Sequence, residues 1–486
     1  MSLNPVVVVG AGPAGLTAAY ELSKHQRPAV VLESGDRVGG ISRTETYKDY
    51  RFDIGGHRFY TKVTEVEDLW QEVLSDEMIT VPRLSRIYYD GKFFNYPLDP
   101  FDVVKKLGIG RSLSIVASYL KARLSPLPEE ESLEDWVINR FGEKLYYTFF
   151  KTYTEKVWGI SCQQIRADWA AQRIRGLSLK KAITDALFGK SDAKTLIKTF
   201  QYPRLGPGMM WERFQTLLEK QGSPVHLNTR VVQIDREGQR IQRVIAEQNG
   251  ETQIYEGDQF ISSMPVTKLL QCLNPPPPPE VLTAAKSLKY RDFLIVALVI
   301  DAPSLFPDNW LYIHSPEFQV GRIQNFKNWS PDMVPDASKT CLGMEYFCSQ
   351  GDSVWESSEE TLIKLATEEV VKLGLVSDPK LVQDGTVIRQ LKAYPVYDVE
   401  YRQHLQVIQD YVETFDNLYT VGRNGMHRYN NQDHSMLTGL LAARNVLGDR
   451  HSLWTVNTER SYYEEFQQSG SGSPDVASVS NQLKFS

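Results

Sequence analysis

What this chain lacks narrows the field before any motif is read. Cysteine is scarce, with four in 486 residues (Cys162, Cys272, Cys341, Cys348). None forms a Cys-x-x-Cys pair, so neither a disulfide framework nor a thiol redox motif is expected, and reduced thiols point to the cytoplasm. No His/Cys group has metal-ligand spacing, so no metal site is expected. Long apolar runs are missing too. The longest, 293–300, falls far short of the roughly 20 residues that cross a bilayer and reads as a buried strand. Positive charge is not in excess: Lys and Arg number 54 against 60 Asp and Glu, a formal net charge of −6. Neither nucleic acid nor an anionic membrane is an expected partner. The opening residues run into an apolar strand and leave no room for a signal peptide. No internal repeat is visible. At 486 residues the chain can form two or three domains with a large core.

What the chain has is a glycine loop in the right setting. Four β-branched residues, Val6–Val9, make a buried strand. Gly10, Gly12 and Gly15 follow in the spacing G-x-G-x-x-G, with Pro13 and Ala14 between, and 16–22 reads as a helix. Gly10 permits the tight turn, Gly12 lets backbone approach a pyrophosphate, and Gly15 lets helix and strand pack closely. The phosphates then sit on the helix N-terminus. A second apolar strand, Ala29–Leu32, ends in Glu33 and Ser34, where a carboxylate can grip a ribose hydroxyl. Gly39-Gly40 with Ser42 and Arg43 add a second backbone approach and phosphate donors. An NAD site seldom needs this second loop, whereas FAD sites often do. Gly55-Gly56-His57 then suggests backbone pressed against a flat ligand. A core histidine on a turn is an equal alternative for that stretch alone.

The remaining segments alternate in character. Residues 61–80 read as a helix with Val66, Leu69, Trp70 and Val73 on one face. Residues 83–97 form a hairpin around Asp90-Gly91. From 98 to 200 the pattern is mainly helical, with Ile115 and Leu120 at helical spacing. Lys105, Lys106, Lys121 and Arg123 among them read as a solvated face. Ser132 is placed to cap a second amphipathic helix. Gly206-Pro207-Gly208 opens another, either beside a flavin ring or as a plain crossover. Strands at 225–228, 230–235 (with Val232) and 241–245 resemble the part of large flavoproteins that covers the adenine. Pro275 to Pro279 form a stiff spacer. Residues 288–400 are mainly strands, interrupted by a helix near 359–373. A strand meets Gly422 and Arg423, and Asn431, Gln432 and Ser435 lead into a helix at 436–446. That is a second helix start aimed at the pyrophosphate and ribityl chain.

The expected architecture is α/β. A Rossmann-like FAD-binding domain is assembled from 1–82, 211–270 and 402–465. A helical region (98–200) is inserted, and 83–97 with 271–401 builds a mainly antiparallel β-sheet substrate domain. The tail at 467–486, rich in Ser, Gly, Asn and Gln, reads as disordered.

Four further stretches carry a resemblance: Gly55-Gly56-His57; Trp158 with Arg173; Trp310-Leu311-Tyr312 with Gly321-Arg322; and 422–429 with Asn431-Gln432-Asp433-His434-Ser435. Together, in order and over nearly the whole chain, they resemble the UDP-galactopyranose mutase family, the eukaryotic type more than the bacterial. The resemblance implies an enzyme, an isomerase, that converts a nucleotide-linked sugar between pyranose and furanose rings, as in cell-surface polysaccharide synthesis. Reduced FAD acts through N5 as nucleophile on the anomeric carbon, UDP leaves and returns, and there is no net oxidation. The implied partners are UDP-galactose or a relative and an external reductant such as NAD(P)H.

By that resemblance Arg173 and Arg322 clamp the diphosphate, each as a planar fork of donors. Tyr312, Tyr394 and Tyr429 supply phenols to phosphate oxygens, Tyr96 lies beside the uracil and Trp158 lines the sugar pocket. Gly56 and His57 face the flavin, and Arg83 supports the ring from the other end. Core packing is an open alternative for each tyrosine, and a surface salt bridge for any lone arginine. Thr154 stands where the family has an asparagine touching the sugar, and Asp99 where a glutamine often faces the uracil. A different class competes: a redox flavoenzyme of the amine oxidase, desaturase or protoporphyrinogen oxidase type. A third possibility is a flavin-binding protein with a degenerate site and an incomplete clamp.

Overall fold

The computed structural model describes residues 4–167, 169 and 198–458. Two sheets organise them. The first has five parallel strands in the order Leu418–Thr420, Phe260–Ser262, Val6–Val9, Ala29–Leu32, Val225–His226. Val6–Val9 is its centre and is wholly buried. An unbroken apolar run suits a strand covered on both faces. One cover is the helix Pro13–Lys24, which starts earlier than the apolar pattern shows because Pro13 fits the first helical position. Gly15 is dictated by that packing: a Cβ there would lie 1.9 Å from the Gly10 carbonyl oxygen. The last helix, Gln432–Leu447, lies against the first. A Cβ on Gly439 would sit 2.2 Å from the Ala14 carbonyl oxygen. Gly439 thus seats the last helix of the described residues directly on the first.

The second sheet has seven strands, in the order Val382–Pro395, Tyr290–Ile300, Thr340–Cys348, Arg322–Asn325, Trp310–Ile313, Ser85–Tyr89, Lys92–Asn95. Only Trp310–Ile313 against Ser85–Tyr89 is parallel. The expected hairpin is present, with Asp90 at φ 50° and Gly91 at φ 71°. Two positive φ values give the turn whose twist matches the flanking strands. The run at 293–300 is apolar throughout because both faces are covered. Leu294, Val296 and Leu298 pack with Leu362 and Val370 of the helix Glu359–Lys372. Phe293, Ile295 and Ala297 face the aromatic core that holds Trp158 and Trp329.

The helical region folds over this second core as Pro100–Leu107, Ile109–Leu124 and Leu133–Phe141. A π-helical turn, Tyr146–Phe150, then leads into Lys151–Trp158. Ser132 caps its helix as expected, accepting from Asp135 N at 3.2 Å. Several details depart from the sequence pattern. Met78–Pro82 and Thr199–Pro203 pair as antiparallel strands, so the helix near 61–80 stops at Leu74 and the helical stretch ends before 199. The proline run does not act only as a spacer, because Pro279 begins the helix Pro279–Ser287. That helix packs Val281 and Ala285 with Ile408 and Val412 of an unforeseen helix, Tyr401–Val412. The latter buries only those two side chains fully, too narrow an apolar stripe to read from spacing. The tail at 467–486 lies outside the described residues.

Candidate cofactor and substrate site

The parallel sheet delivers a glycine-lined groove at the ends of its strands. Gly12 precedes the first helix and no side chain caps that end, so its N–H groups are left for a ligand. Gly40 stands against it: a Cβ on Gly40 would come 3.5 Å from the Gly12 Cα. Gly422 borders the same helix start, since its Cβ would meet the Ala14 Cβ at 3.1 Å. A side chain at Gly40 or Gly422 would crowd this helix start. Glu33 closes one end, accepting from Ala11 N at 2.7 Å and Gly35 N at 2.8 Å, with Ser34 Oγ at 3.2 Å. Its remaining lone pairs suit ribose hydroxyls. Thr229 N donates to the Glu33 carbonyl at 2.7 Å and places the strand Thr229–Glu237 beside it. Pairing passes from Val231 to Gln233, so Val232 is the extra residue of a β-bulge there. Ser42 donates to the Gly39 carbonyl at 3.0 Å. Arg43, a sequence candidate for phosphate, is drawn instead to Glu45 at 2.6 Å and the Gly40 carbonyl at 2.9 Å.

The last helix brings a second N-terminus to this groove, where Asn431 N donates to His434 Nδ1 at 3.4 Å. Asn431 precedes it, and Ser435 is buried in its first turn. Gln432 Nε2 donates to the carbonyls of His57 and Arg58 at 3.1 and 3.2 Å. Its buried Oε1 has no hydrogen-bond partner among the described residues. Arg423 braces the approach, donating to the carbonyls of Asn430 and Ala393, each at 3.0 Å. A glycine-walled channel between two helix N-termini, with an acid at one end and an orphaned buried acceptor at the other, fits FAD.

Gly55, Gly56 and His57 lead from this groove to the antiparallel sheet. A Cβ on Gly55 would lie 3.7 Å from Arg322 Nη2, and one on Gly56 would lie 3.1 Å from Gln324 Nε2. The substrate candidates gather here around one aromatic wall. Tyr96 and Tyr312 have ring centroids 5.1 Å apart, and Tyr153 meets Tyr312 edge-on at 5.6 Å. Tyr394 stacks on Tyr429 at 5.7 Å, and Trp158 packs on both, at 6.3 and 6.2 Å. Arg423 lies over the Tyr429 ring at 4.6 Å. The Arg83 guanidinium lies 5.5 Å over Tyr96 and 5.3 Å over Trp310.

Charge in this chamber is arranged around Arg322. Burial disfavours its charge, yet Glu345, followed by the phenols of Tyr394, Tyr153 and Tyr312, holds its pKa well above the usual value. Glu345 has no exposed surface. It accepts from Arg322 Nε and, at 2.7 Å, from Gln324 Nε2. Burial raises the Tyr153 phenol well above its ordinary pKa, with Arg322 pulling the other way, so the phenol stays protonated and able to donate. Burial, then the positive charges of Arg423 and Arg322, push His57 down to about 3. His57 is therefore neutral at physiological pH.

The described residues thus bring together Tyr96, Trp158, Tyr312, Arg322, Tyr394, Tyr429 and His57. Arg173 lies outside the described residues. Asp99 is engaged as a helix cap, accepting from Asp102 N at 2.7 Å. Sequence reasoning missed Glu345 and Tyr153. Glu345 lies inside an otherwise apolar strand, and a lone charge at such a position was the available signal. Gly206 and Gly208 press on Thr44 and Asp53, with Cβ positions 2.3 and 2.5 Å from Thr44 atoms.

A glycine channel for a dinucleotide, with a chamber of phenols and a partly buried guanidinium beside it, defines a flavoprotein. The chain belongs to the flavin-containing amine oxidoreductase family, which it matches over residues 13–447, and its cofactor is FAD. Its fold is that of a crystal structure of reduced UDP-galactopyranose mutase, with a TM-score of 0.82 at 21% identity over 95% of this chain and 99% of that one. A coproporphyrinogen III oxidase of Mycobacterium tuberculosis is 25% identical over 423 residues, 82% of this chain and 88% of that protein. A probable UDP-galactopyranose mutase of Klebsiella pneumoniae is 24% identical over 174 residues, 34% of this chain and 44% of that protein. No helix among the described residues is long and apolar enough to cross a membrane.

Proposed function

We propose that this chain is an FAD-dependent mutase that interconverts the pyranose and furanose rings of a nucleotide-linked sugar, with UDP-galactose the first substrate to test. One observation carries the reading: a partly buried guanidinium, Arg322, surrounded by the phenols of Tyr153, Tyr312 and Tyr394. A diphosphate leaving group needs fixed positive charge and several donors. Nε of Arg322 is committed to Glu345, which sets the plane of the fork. The Nη side is the one that approaches Gly55 and is left for phosphate oxygens. The phenols donate to the other oxygens, and Trp158 with Tyr429 walls off the sugar. Neutral His57 beside the glycines adds no charge that would repel the arginines. When bound and reduced, FAD supplies a nucleophilic nitrogen for the anomeric carbon. The departing nucleotide takes the electrons of the C1–O bond and returns them on closure, so the sugar is neither oxidised nor reduced. By the resemblance to the mutase family, Arg173 is the second cation.

A second reading, oxidation of a porphyrinogen, amine or polyene, is favoured by the long match to the mycobacterial oxidase. An amine site has no evident use for a fixed cation among phenols. The separating experiment reduces the flavin-loaded protein with dithionite and supplies UDP-galactofuranose. Formation of UDP-galactopyranose only in the reduced state supports the mutase. If no UDP-sugar is converted or bound, while a porphyrinogen or amine bleaches the oxidised flavin, the second reading stands.

A further inference from the structure

We propose that the outer face of the helical region docks on an anionic lipid surface. From sequence, no anionic membrane is expected as a partner, and the charges near 105–123 read as a solvated face rather than a membrane helix, beside an apolar side at helical spacing. In the structure that side is solvated too. Along Ile109–Leu124, Ile109 is 73% exposed, Leu113 63%, Leu120 53% and Leu124 85%, and Val116 joins them. These positions recur every three or four residues and form one stripe along the helix. Phe101 of the preceding helix is exposed as well, at 65%. The stripe cannot roll inward. Ile115 and Ser112 are buried on the other side, and Gly142 presses on that side so closely that a Cβ there would lie 2.6 Å from Tyr119 N.

Charge selects the occupant. Within residues 100–124, Lys105, Lys106, Arg111, Lys121 and Arg123 stand against a single acid, Asp102, in a chain whose net charge is −6. Asp102 is itself paired with Lys106. Lys121 and Arg123 are exposed and fall on opposite flanks of the stripe. A second copy packed on this face would bring the same basic flanks together, which costs energy. An anionic bilayer meets both halves of the pattern, taking the apolar side chains into the acyl boundary and the basic ones at the headgroups. Sixteen residues cannot span a bilayer, so the helix lies in its plane.

The test is sedimentation of the full-length, flavin-loaded protein with vesicles of phosphatidylcholine alone or mixed equally with phosphatidylglycerol. We expect binding to the mixed vesicles that weakens with added salt. The double variant Lys121→Glu with Arg123→Glu should bind less, by about fivefold for each basic side chain removed. Leu120→Ser with Leu124→Ser should abolish pelleting while flavin absorbance and melting temperature hold. Three results would overturn the proposal. One is no binding to the mixed vesicles at low salt. The second is a dimer in light scattering that Leu120→Glu dissociates, without vesicle binding, which makes the occupant a second copy. The third is a cross-link from Leu120→Cys to residues within 170–197 in the free monomer, which makes the cover a segment of this chain.

Discussion

Tyr312 and Arg322 stand directly opposite one another on adjacent antiparallel strands, and Glu345 stands opposite Arg322 on the next. Directly opposed residues share a face, so phenol, guanidinium and carboxylate form one row across three strands. The row makes Arg322 a positioned fork rather than a loose cation. For the proposed reaction, Arg322→Lys keeps the charge but loses the fork, and kcat/KM should fall by about 10²–10³. Glu345→Ala leaves the guanidinium without its carboxylate and should cost about 3–5 kcal/mol of stability. Replacing both residues with Met should cost less than Glu345→Ala alone. Steady-state kinetics check the first, denaturant unfolding of the flavin-loaded proteins checks the other two, and a double variant less stable than Glu345→Ala would remove this account of the row.

Part of this was readable in the chain. The loop Gly10–Gly15 works through backbone shape, and backbone shape at glycines leaves a spacing that can be read. The hairpin at Asp90-Gly91 is legible for the same reason. Tyr312 and Arg322 were found by resemblance. Glu345 was not, because its partner lies 23 residues away on another strand and only sheet register joins them. Asp99 looked like a substituted base contact, but its cap bond to Asp102 N depends on where a helix begins. Periodicity showed that 109–124 is amphipathic, but which side a helix buries is decided by what packs on it.

Helix contact sets flavin retention. Gly439→Ala would place a methyl 2.2 Å from the Ala14 carbonyl oxygen, and backbone on both sides must yield. The first and last helix starts then separate, and with them the two ends of the diphosphate channel. We expect a loss of about 1–3 kcal/mol from overpacking and protein that purifies with much less bound flavin. The visible absorbance ratio of the purified variant checks it. Full flavin content would show that the two helices need not touch.

Stability should peak near pH 6.5. Burial pushes Asp53 up to about 8, against hydrogen bonds from Tyr202 and Thr44 that pull the other way. The native state therefore holds a proton that the unfolded state gives up near 3.8, and this contribution is lost as pH rises towards 8. Burial lowers His57 and His314 to about 3 and His427 to about 4. Below their ordinary 6.5 the unfolded state binds protons the native state refuses, so stability falls as pH falls. Above 6.5 Asp53 is the one of these four groups still acting. Its slope has a ceiling of about 1.4 kcal/mol per pH unit. Asp53→Asn should flatten the decline between pH 6.5 and 8 and leave the acid limb in place. Denaturation midpoints across that range decide it, and an unchanged alkaline limb in the variant would assign the decline elsewhere.

Lys156 should tie the sugar-side helix to the strands that carry Tyr312 and Arg322. It lies on Lys151–Trp158, the helix of Tyr153 and Trp158. Its Nζ donates to the carbonyls of Ile313, Ser315 and Val320 at 2.9, 3.3 and 3.1 Å, at the end of the Tyr312 strand and in the loop that joins it to the Arg322 strand. Lys156→Met leaves three carbonyls without that donor and should cost about 1–3 kcal/mol. It should also lower turnover, because Tyr153 and Arg322 are no longer held in register. Burial lowers the Lys156 pKa to about 8, while the unfolded state keeps its proton to about 10.5. Between those values the unfolded state binds more protons, so this group's contribution grows as pH rises. The stability gap between wild type and Lys156→Met should therefore widen from pH 8 to 10.5. A constant gap would mean that the ammonium is not buried among those carbonyls, and unchanged turnover would mean that the helix keeps its place without it.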